Sequence, residues 1–494
     1  MKRTAALLLA LCMLPASAVS CGSKGKESPV TTPAPETTVQ TEYVTETELE
    51  CSVPEELTLQ GETVSVLNYD YRHDPNFVNF LVSAEEFTGE ILNDSVYNTN
   101  TALMENMDFI FEFIDNGGDA NDNLVSAVTA GDDIYDIVYG TQFQIANLVS
   151  RNMLANLNAS AGGYIDTEKP WWYSGYISES TVDDTHTYFL AGDLSPDILR
   201  MSSMMLLNMD LLTDLGGDVN EIYDTVLNGK WTYDAMSALA GHVYVDTDGD
   251  GQRTAEDTYG FASYTRSDVD HFTVASGVRA CSRDEDGLPY ITFNNEYTVR
   301  FVEALVDFIW DQEGSYYVEG APTLEMLNNK RVLLLNEKFF RLDMLREADV
   351  NYTIIPLPKL DTTVENYSSL AHDISLILCI PSISANVENL TAVLEKMSYQ
   401  YYKDVMPQYY EVILKTKYRR DSSEAALQIM DMIHAGLTTD FAYFYNSNLN
   451  GIYWSLRDLI GVAKSTDFAS LYAKNEKQYH TKLAELIDAL RVDQ

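Results

Sequence analysis

The chain reads as an α/β protein built from two lobes, and three observations carry that reading. Apolar strand-like runs alternate with helical stretches from residue 57 onward, and the body 57–494 is long for one domain and comfortable for two. From Val387 to the end nearly everything reads as helix, in about four segments.

The elements follow in order. Val64–Asn68 reads as a strand, Asp94–Met107 as a helix, Phe109–Phe113 as a strand, Asn121–Thr129 as a helix, Tyr135–Tyr139 as a strand and Gln144–Asn152 as a helix. Such alternation implies parallel βαβ units covered on both faces, and ligands of these sheets collect at the carboxyl ends of the strands. Those ends are Asn68-Tyr69-Asp70 and Gly140-Thr141-Gln142. A second apolar strand, Met204–Asn208, precedes helices at Asp210–Leu215 and Thr232–Ala240, and Arg331–Leu335, Tyr352–Leu357 and Ser375–Ile380 read as further strands. The last helix carries Leu483, Leu486, Ile487 and Leu490 at helical spacing, a stripe to be buried. No repeat of fixed period is visible.

The most specific local chemistry lies at Asp246–Asp257. The twelve residues D-T-D-G-D-G-Q-R-T-A-E-D put oxygen-bearing side chains at positions one, three, five, nine and twelve and glycine at six. That is a calcium-loop spacing: Asp246, Asp248 and Asp250 converge, Gly251 permits the bend, Gln252 offers its backbone carbonyl and Asp257 closes the far side. Asp and Gly are also ordinary turn formers, so a solvated acidic loop is the alternative. A single loop, closed by Asp instead of Glu and followed by Thr258-Tyr-Gly-Phe261, favours a structural Ca²⁺ clip over a sensor.

Residues 1–20 read as a signal peptide, with Lys2 and Arg3 ahead of the apolar run Ala5–Leu14. Ala18-Val19-Ser20-Cys21 is lipobox-like, so the mature chain is expected to begin at a lipidated Cys21; Ala16-Ser17-Ala18 would also serve an ordinary signal peptidase. The segment 21–56 is rich in Thr, Pro, Glu and Ser and reads as a disordered tether. The formal charge is −43, two lower once Lys2 and Arg3 leave, which argues against nucleic acid and for an extracellular setting. Cys51, Cys281 and Cys379 remain after processing, an odd number that implies no disulfide framework.

Enzyme motifs are missing. There is no H-E-x-x-H, no G-x-S-x-G and no phosphate-cradling glycine loop, and the seven His are dispersed. A secreted glycoside hydrolase stays open, because two carboxylates suffice for it and 75 Asp and Glu can supply a pair.

Several phrases in order share one resemblance: Asp136-Ile-Val-Tyr-Gly140, Tyr164-Ile-Asp166 with Lys169-Pro-Trp-Trp172, and Lys230-Trp-Thr232 before the acidic loop and Tyr259-Gly-Phe261. Ile355-Pro-Leu-Pro358, Tyr367-Ser-Ser369 and Pro407-Gln-Tyr-Tyr410 continue it. Together they resemble the extracellular solute-binding lipoproteins, family 1, of Gram-positive bacteria. The resemblance implies a two-lobed, type II periplasmic-binding-protein-like fold whose hinge-linked lobes close over a ligand, with a helix-rich C-terminal part. It implies lobe 1 at 57–200 plus 322–372 and lobe 2 at 201–321 plus 373–494, and a calcium loop that serves as a scaffold clip. It further implies a monomer without catalytic activity, anchored by its lipid at the outer face of the cytoplasmic membrane and delivering its ligand to an ABC permease. The expected ligand is a carbohydrate, an oligosaccharide first, with a peptide- or amine-binding receptor on the same scaffold as the other option.

Sugars present hydroxyls to Asp, Asn, Gln and Arg and a weakly apolar face to aromatic rings. The candidates at strand ends and hinge-proximal turns are Tyr69, Asp70, Thr141, Gln142, Asp193, Arg341 and Asp373, with Trp171, Trp172, Trp231 and Trp454 as stacking platforms. Each has a plainer reading beside it. The Trp171-Trp172 pair after Pro170 also fits a loop anchored in the core, and Trp231 before Thr232 also fits a hydrophobic staple. Arg341 could pair with an internal carboxylate, and Asp373 could belong to hinge hydrogen bonding.

Overall fold

The computed structural model of the chain describes residues 49–68, 82–115, 120–158, 161–345, 348–410 and 423–492, and its contacts group Cys51–Gln494 into one unit. Three of the expected sites, Cys21, Tyr69 and Asp70, and nearly all of the expected signal and tether lie outside the described residues. Among those described, no helix is long and apolar enough to cross a membrane.

The first part of the chain runs β1 (Glu62–Asn68), α1 (Ile91–Met107), β2 (Phe109–Asp115), α2 (Ala120–Ala130), β3 (Ile137–Thr141), α3 (Gln142–Ile145), a 3₁₀ turn (Ala146–Arg151), α4 (Ser174–Ser180) and α5 (Asp197–Arg200). The α1 helix starts where the Glu90 carboxylate accepts the Leu92 and Asn93 N–H groups, and it stops at Asp108 in the left-handed region. Between these ends it buries Leu92, Val96, Leu103 and Met107 on one face. The second part runs β4 (Ser203–Asn208), α6 (Met209–Asp214), α7 (Val219–Leu227), α8 (Tyr233–Ala240), β5 (Tyr244–Val245), β6 (Thr258–Ser263) and α9 (Asp268–Ala275). It continues through the hairpin β7 (Cys281–Arg283) and β8 (Pro289–Ile291), α10 (Glu296–Val306), β9 (Ser315–Tyr317), α11 (Thr323–Asn328), β10 (Val332–Lys338) and β11 (Tyr352–Ile355). The remainder is β12 (Ser369–Leu370), β13 (Leu376–Cys379), α12 (Val387–Asp404), α13 (Glu424–Ala435), β14 (Leu437–Thr438), α14 (Phe441–Phe444), α15 (Ile452–Gly461) and α16 (Phe468–Leu490).

Two separate sheets define the lobes. The first has the order β13-β3-β1-β2, with β1 parallel to both β2 and β3, as the βαβ alternation predicts, and β13 antiparallel on β3. The second has the order β11-β4-β10-β6-β5 with β9 on β6 and is mixed, β10 being parallel to β6 and antiparallel to β4. Every residue of β4 and of β10 is buried, because this sheet is covered on both faces. Gly260 in β6 has a steric reason: a Cβ there would stand 1.8 Å from the carbonyl oxygen of Ala240, the last residue of α8.

The pairing reverses the exchange of segments expected between the lobes. β10 and β11, placed by analogy in lobe 1, are laddered to β4 in the second sheet, whereas β13, placed in lobe 2, is an edge of the first. The α12 helix stays with the first sheet's lobe, where Glu395 holds Trp171 and Trp172. Strand pairing depends on backbone ladders between distant segments, and an apolar run alone carries no address for its partner strand.

Three segments run side by side between the sheets. Ser202 bridges Ala371, β12 lies parallel to β14, and the His372 N–H donates to the Met201 carbonyl at 3.1 Å. The Ala371 N–H donates to the Thr438 carbonyl at 3.3 Å, so all three strands form one small ladder at the lobe junction. The C-terminal helices then serve both lobes. α14 packs on α4 of the first, α15 on α9 of the second, and α16 touches the 146–151 turn as well as β8 and α10. Leu483, Leu486 and Leu490 are buried as expected, with Ile487 half-buried beside them.

Candidate functional site

The carboxyl ends of the parallel strands in both sheets meet the middle crossing segment. From the first lobe, β3 ends at Thr141, and the next two amides turn onto the crossing: Gln142 N–H donates to the Ser375 carbonyl at 3.0 Å and Phe143 N–H to the Asp373 carbonyl at 2.9 Å. The buried Tyr176 hydroxyl donates to Gln142 Oε1, while Gln142 Nε2 has no hydrogen-bond partner among the described residues. Thr141 Oγ1 donates to Gln144 Oε1 at 2.7 Å.

From the second lobe, β6 delivers the start of α9 and β10 delivers Glu337 and Lys338. Asp268 Oδ2 accepts the Ser263 hydroxyl at 2.6 Å and the Tyr264 and Thr265 N–H groups at 3.3 and 3.2 Å. Its other oxygen stands 3.6 Å from Lys338 Nζ and 3.6 Å from His271 Nδ1. Arg341 pairs with Glu337 at 3.3 Å and lays its guanidinium 5.1 Å from the centre of the Tyr264 ring. The internal-carboxylate reading of Arg341 is therefore the one this structure displays.

The crossing and α15 close the cluster. Asp373 Oδ1 lies 2.9 Å from His372 Nδ1, and the Asp373 N–H donates to the Tyr443 hydroxyl at 3.0 Å. Arg457 is paired with the fully buried Asp270, and the His271 and His372 rings lie 5.7 Å apart. Burial opposes the charge on Asp373, but His372, Arg457 and Lys338 outweigh it and hold the carboxyl below its ordinary range. Burial opposes charge on His271 as well, and here the cations Lys338, His372 and Arg457 add to it, so that imidazole is held neutral, well below the usual histidine range. Neither His271 ring nitrogen has a hydrogen-bond partner among the described residues.

Aromatic rings stand at the ends of the same elements. Phe143 follows β3, Tyr264 follows β6 and Trp454 lies one turn before Arg457 on α15, each 40% exposed. The other expected platforms are closed. Trp171 and Trp172 are buried, their indole N–H groups donating to the two oxygens of Glu395 at 3.1 and 2.8 Å, and burial pushes that carboxyl up to about 7. Trp231 is buried too, its indole N–H donating to the Pro356 carbonyl at 2.9 Å. Flat apolar side chains with one polar handle serve a core as readily as a ligand, which is why these three sit inside. Asp193 lies with Trp171 and Tyr173 instead of with the cluster, and burial raises its carboxyl to about 7 against the pull of the Tyr173 hydrogen bond.

The cluster thus joins Thr141, Gln142, Arg341 and Asp373 with residues that sequence reasoning missed: Asp268, Asp270, His271, Lys338, His372, Tyr443 and Arg457. A signal existed for some of them. Asp268 and Asp270 open a helix one short turn after an apolar strand, and Glu337-Lys338 ends another. Tyr443 and Arg457 come from the helical C-terminal part, where periodicity carries no information about tertiary position.

The acidic loop lies elsewhere in the second lobe, between β5 and β6. Asp246, Asp248 and Asp250 are exposed and bring carboxylate oxygens within 4.8 Å of one another. Asp246 accepts the Gly249 and Gly251 N–H groups at 2.8 and 3.0 Å, and both glycines take left-handed φ angles, 75° and 73°. Gln252 donates its N–H to Asp250 at 2.7 Å. Asp257 stands apart from the trio: it is buried, and its two oxygens each accept one loop N–H, from Thr247 and Thr254, both at 3.0 Å.

No protein-family model matches the chain, and no curated protein matches it in sequence. Solved structures do. The ABC substrate-binding protein Lmo0181 from Listeria monocytogenes, in complex with cycloalternan, aligns with 88% of this chain and 100% of its own at 11% identity and a TM-score of 0.50. An ABC-transporter solute-binding protein from Thermotoga lettingae, bound with α-D-tagatose, aligns over 87% and 100% at 14% identity and a TM-score of 0.50. A cyclo/maltodextrin-binding protein complexed with maltotetraose aligns over 87% and 96% at 12% identity and a TM-score of 0.52. The protein has the two-lobed α/β fold of the ABC-transporter solute-binding proteins.

Proposed function

We propose that the protein is a carbohydrate-binding component of an ABC importer, an oligosaccharide being the favoured ligand. The observation that carries this reading is the meeting of both lobes' strand ends at the hinge, where polar side chains cluster and Phe143, Tyr264 and Trp454 lie exposed on the same elements. Sugar recognition uses that combination: aromatic faces for the C–H surface of the ring, and acids, amides and cations for its hydroxyls. The structural neighbours hold cycloalternan, tagatose and maltotetraose, which supports the class of ligand without naming the sugar. The chain's residues bind and orient; no catalytic role is assigned to any of them. Delivery to permease subunits, action as a monomer and a lipid at Cys21 that tethers the protein outside the cytoplasmic membrane complete the reading.

Ca²⁺ is the ion proposed for the acidic loop. Hard carboxylate oxygens at the spacing of Asp246, Asp248 and Asp250 suit it, with the Gln252 carbonyl as a further donor, while Asp257, expected to close the far side, braces the loop through the Thr247 and Thr254 N–H groups. When bound, the ion would hold the β5–β6 connection together; the ligand chemistry belongs to the cleft.

The test is a thermal-shift and calorimetric screen of mono- to oligosaccharides against the calcium-loaded protein. At least one sugar is expected to raise the melting temperature, and failure of all of them to do so would remove the carbohydrate reading. Release of reducing ends from an oligosaccharide during the same incubation would instead make the protein a hydrolase.

A further inference from the structure

Beyond the three crossing strands, the lobes are tied at a second place. Arg283, on β7 of the hairpin inserted between α9 and α10 of the second lobe, reaches the C-terminal end of α4 in the first. Its guanidinium donates to the Ser178 carbonyl at 2.8 Å, to Thr181 at 2.6 Å and to Val182 at 3.1 Å, with a fourth bond to Gly287 of its own hairpin at 3.2 Å. The last carbonyls of a helix have no intrahelical partner and carry partial negative charge, so a planar cation with several donors is well matched to them. The Phe441 ring of α14 lies 5.2 Å from the same guanidinium. α4 is itself fixed to the cleft, since Tyr176 on it donates to Gln142. On the hairpin side, Asp440 at the exit of the third crossing accepts the Ala280 N–H at 3.1 Å.

The last helix repeats the tie over a greater length. α16 has 23 residues, about 34 Å at 1.5 Å each. Near its start Phe468 packs edge-on against Phe293, which follows β8 in the second lobe, with ring centres 5.0 Å apart. At its end the Leu490 carbonyl accepts the buried Tyr188 hydroxyl of the first lobe at 2.9 Å, and Arg491 pairs with Asp183 there at 3.2 Å. The helix thus holds the second lobe near its start and the first lobe at its end.

We propose that Arg283 and α16 form an interlobe clasp that holds the lobes in one relative orientation without ligand. Charge-assisted bonds from one guanidinium to three carbonyls are individually stronger than neutral ones, and all three break together if the hairpin leaves α4. The consequence for uptake is a preset width of the ligand-free cleft, which ligand must overcome to close the lobes. The clasp concerns the regulation of the site proposed above, but its test needs no ligand, so failure of the carbohydrate reading would leave it standing.

The experiment is a spin-label distance measurement on the full chain. Glu105→Cys on α1 and Asn329→Cys after α11 place labels at exposed positions in the two lobes, in a Cys12→Ser, Cys21→Ser, Cys51→Ser background, since Cys281 and Cys379 are buried. The ligand-free protein is expected to give a single narrow distance. Arg283→Met is expected to broaden it or add a second distance, and Arg283→Lys, which keeps the charge without the fork, to do so in part. Should Arg283→Met fail to fold, the pair Tyr188→Phe and Arg491→Met, which frees only the end of α16, carries the same expectation. A broad or double distribution in the parent protein overturns the proposal, as does a single unchanged distance in whichever of these variants folds.

Discussion

Replacing Glu395 by Gln isolates one buried carboxyl whose cost the structure allows to be worked out. Glu395 is fully buried on α12 and accepts three N–H groups, from the Trp171 indole at 3.1 Å, the Trp172 indole at 2.8 Å and the Asp166 backbone at 3.3 Å. Burial raises its ionisation from the ordinary 4.5 to about 7, with these donors pulling the other way. The folded state therefore holds a proton more tightly than the unfolded one. This contribution to stability is fully present below about 4.5 and is lost as pH rises toward and through about 7. A displacement of roughly 2.5 units at 1.36 kcal/mol each corresponds to about 3 kcal/mol. Glutamine has nearly the same shape and no proton to lose. It also turns an NH₂ toward one of the indole donors, which should cost about 1–3 kcal/mol at acid pH. Urea unfolding of both proteins at pH 5 and pH 8 gives the comparison. The parent should lose about 2.5 kcal/mol more than the variant between these pH values, part of the full effect being already gone at pH 5. Asp193 and Asp197, raised to about 7 and about 6 by burial, add the same slope to both proteins and cancel from the difference. Equal pH dependence in parent and variant would refute the reasoning, for it would mean that the donors, and not burial, govern this carboxyl.

Three further outcomes are expected. Trp454→Ala should weaken sugar binding about tenfold, some 1.4 kcal/mol by calorimetry, with little change in melting, whereas Trp172→Ala should cost about 3–5 kcal/mol of stability in urea because that ring is buried. Arg457→Met leaves Asp270 buried without its cation and should destabilise by about 3–5 kcal/mol, with partial recovery in an Asp270→Asn, Arg457→Met double variant, read by chemical unfolding. Chelation or Asp248→Ala should lower the melting temperature, since an ion at 100 to 1,000 times its dissociation constant adds roughly 3 to 4 kcal/mol; sugar affinity by calorimetry should be unchanged.

Much of the first lobe was legible as a string. β1, α1, β2, α2 and β3 stand within a few residues of the expected boundaries, because period and punctuation act over single elements. Polar positions directly after apolar strands could also be read, and Thr141 and Gln142 do stand at the crossing. The tryptophans show the limit. Trp171, Trp172, Trp231 and Trp454 are alike as letters, yet three are buried and one is exposed, and what separates them is a partner more than 100 residues away: Glu395 for the first two, Pro356 for the third. The lobe exchange failed for the same reason, since β10, β11 and β13 are all short apolar runs that could join either sheet.

By itself the sequence determined the α/β class, the two-lobe scale, the acidic character and the calcium-type spacing of Asp246–Asp257, all properties of contiguous residues or of composition. Only the tertiary structure decided which strands share a sheet, which three segments form the junction, and that Asp268, Asp270, Lys338, Asp373, Tyr443 and Arg457 meet there. It alone showed Arg283 and α16 reaching from one lobe to the other. The physical reason is that local backbone preference is written in neighbouring residues, whereas hydrogen bonds and ion pairs between distant segments depend on how the whole chain packs.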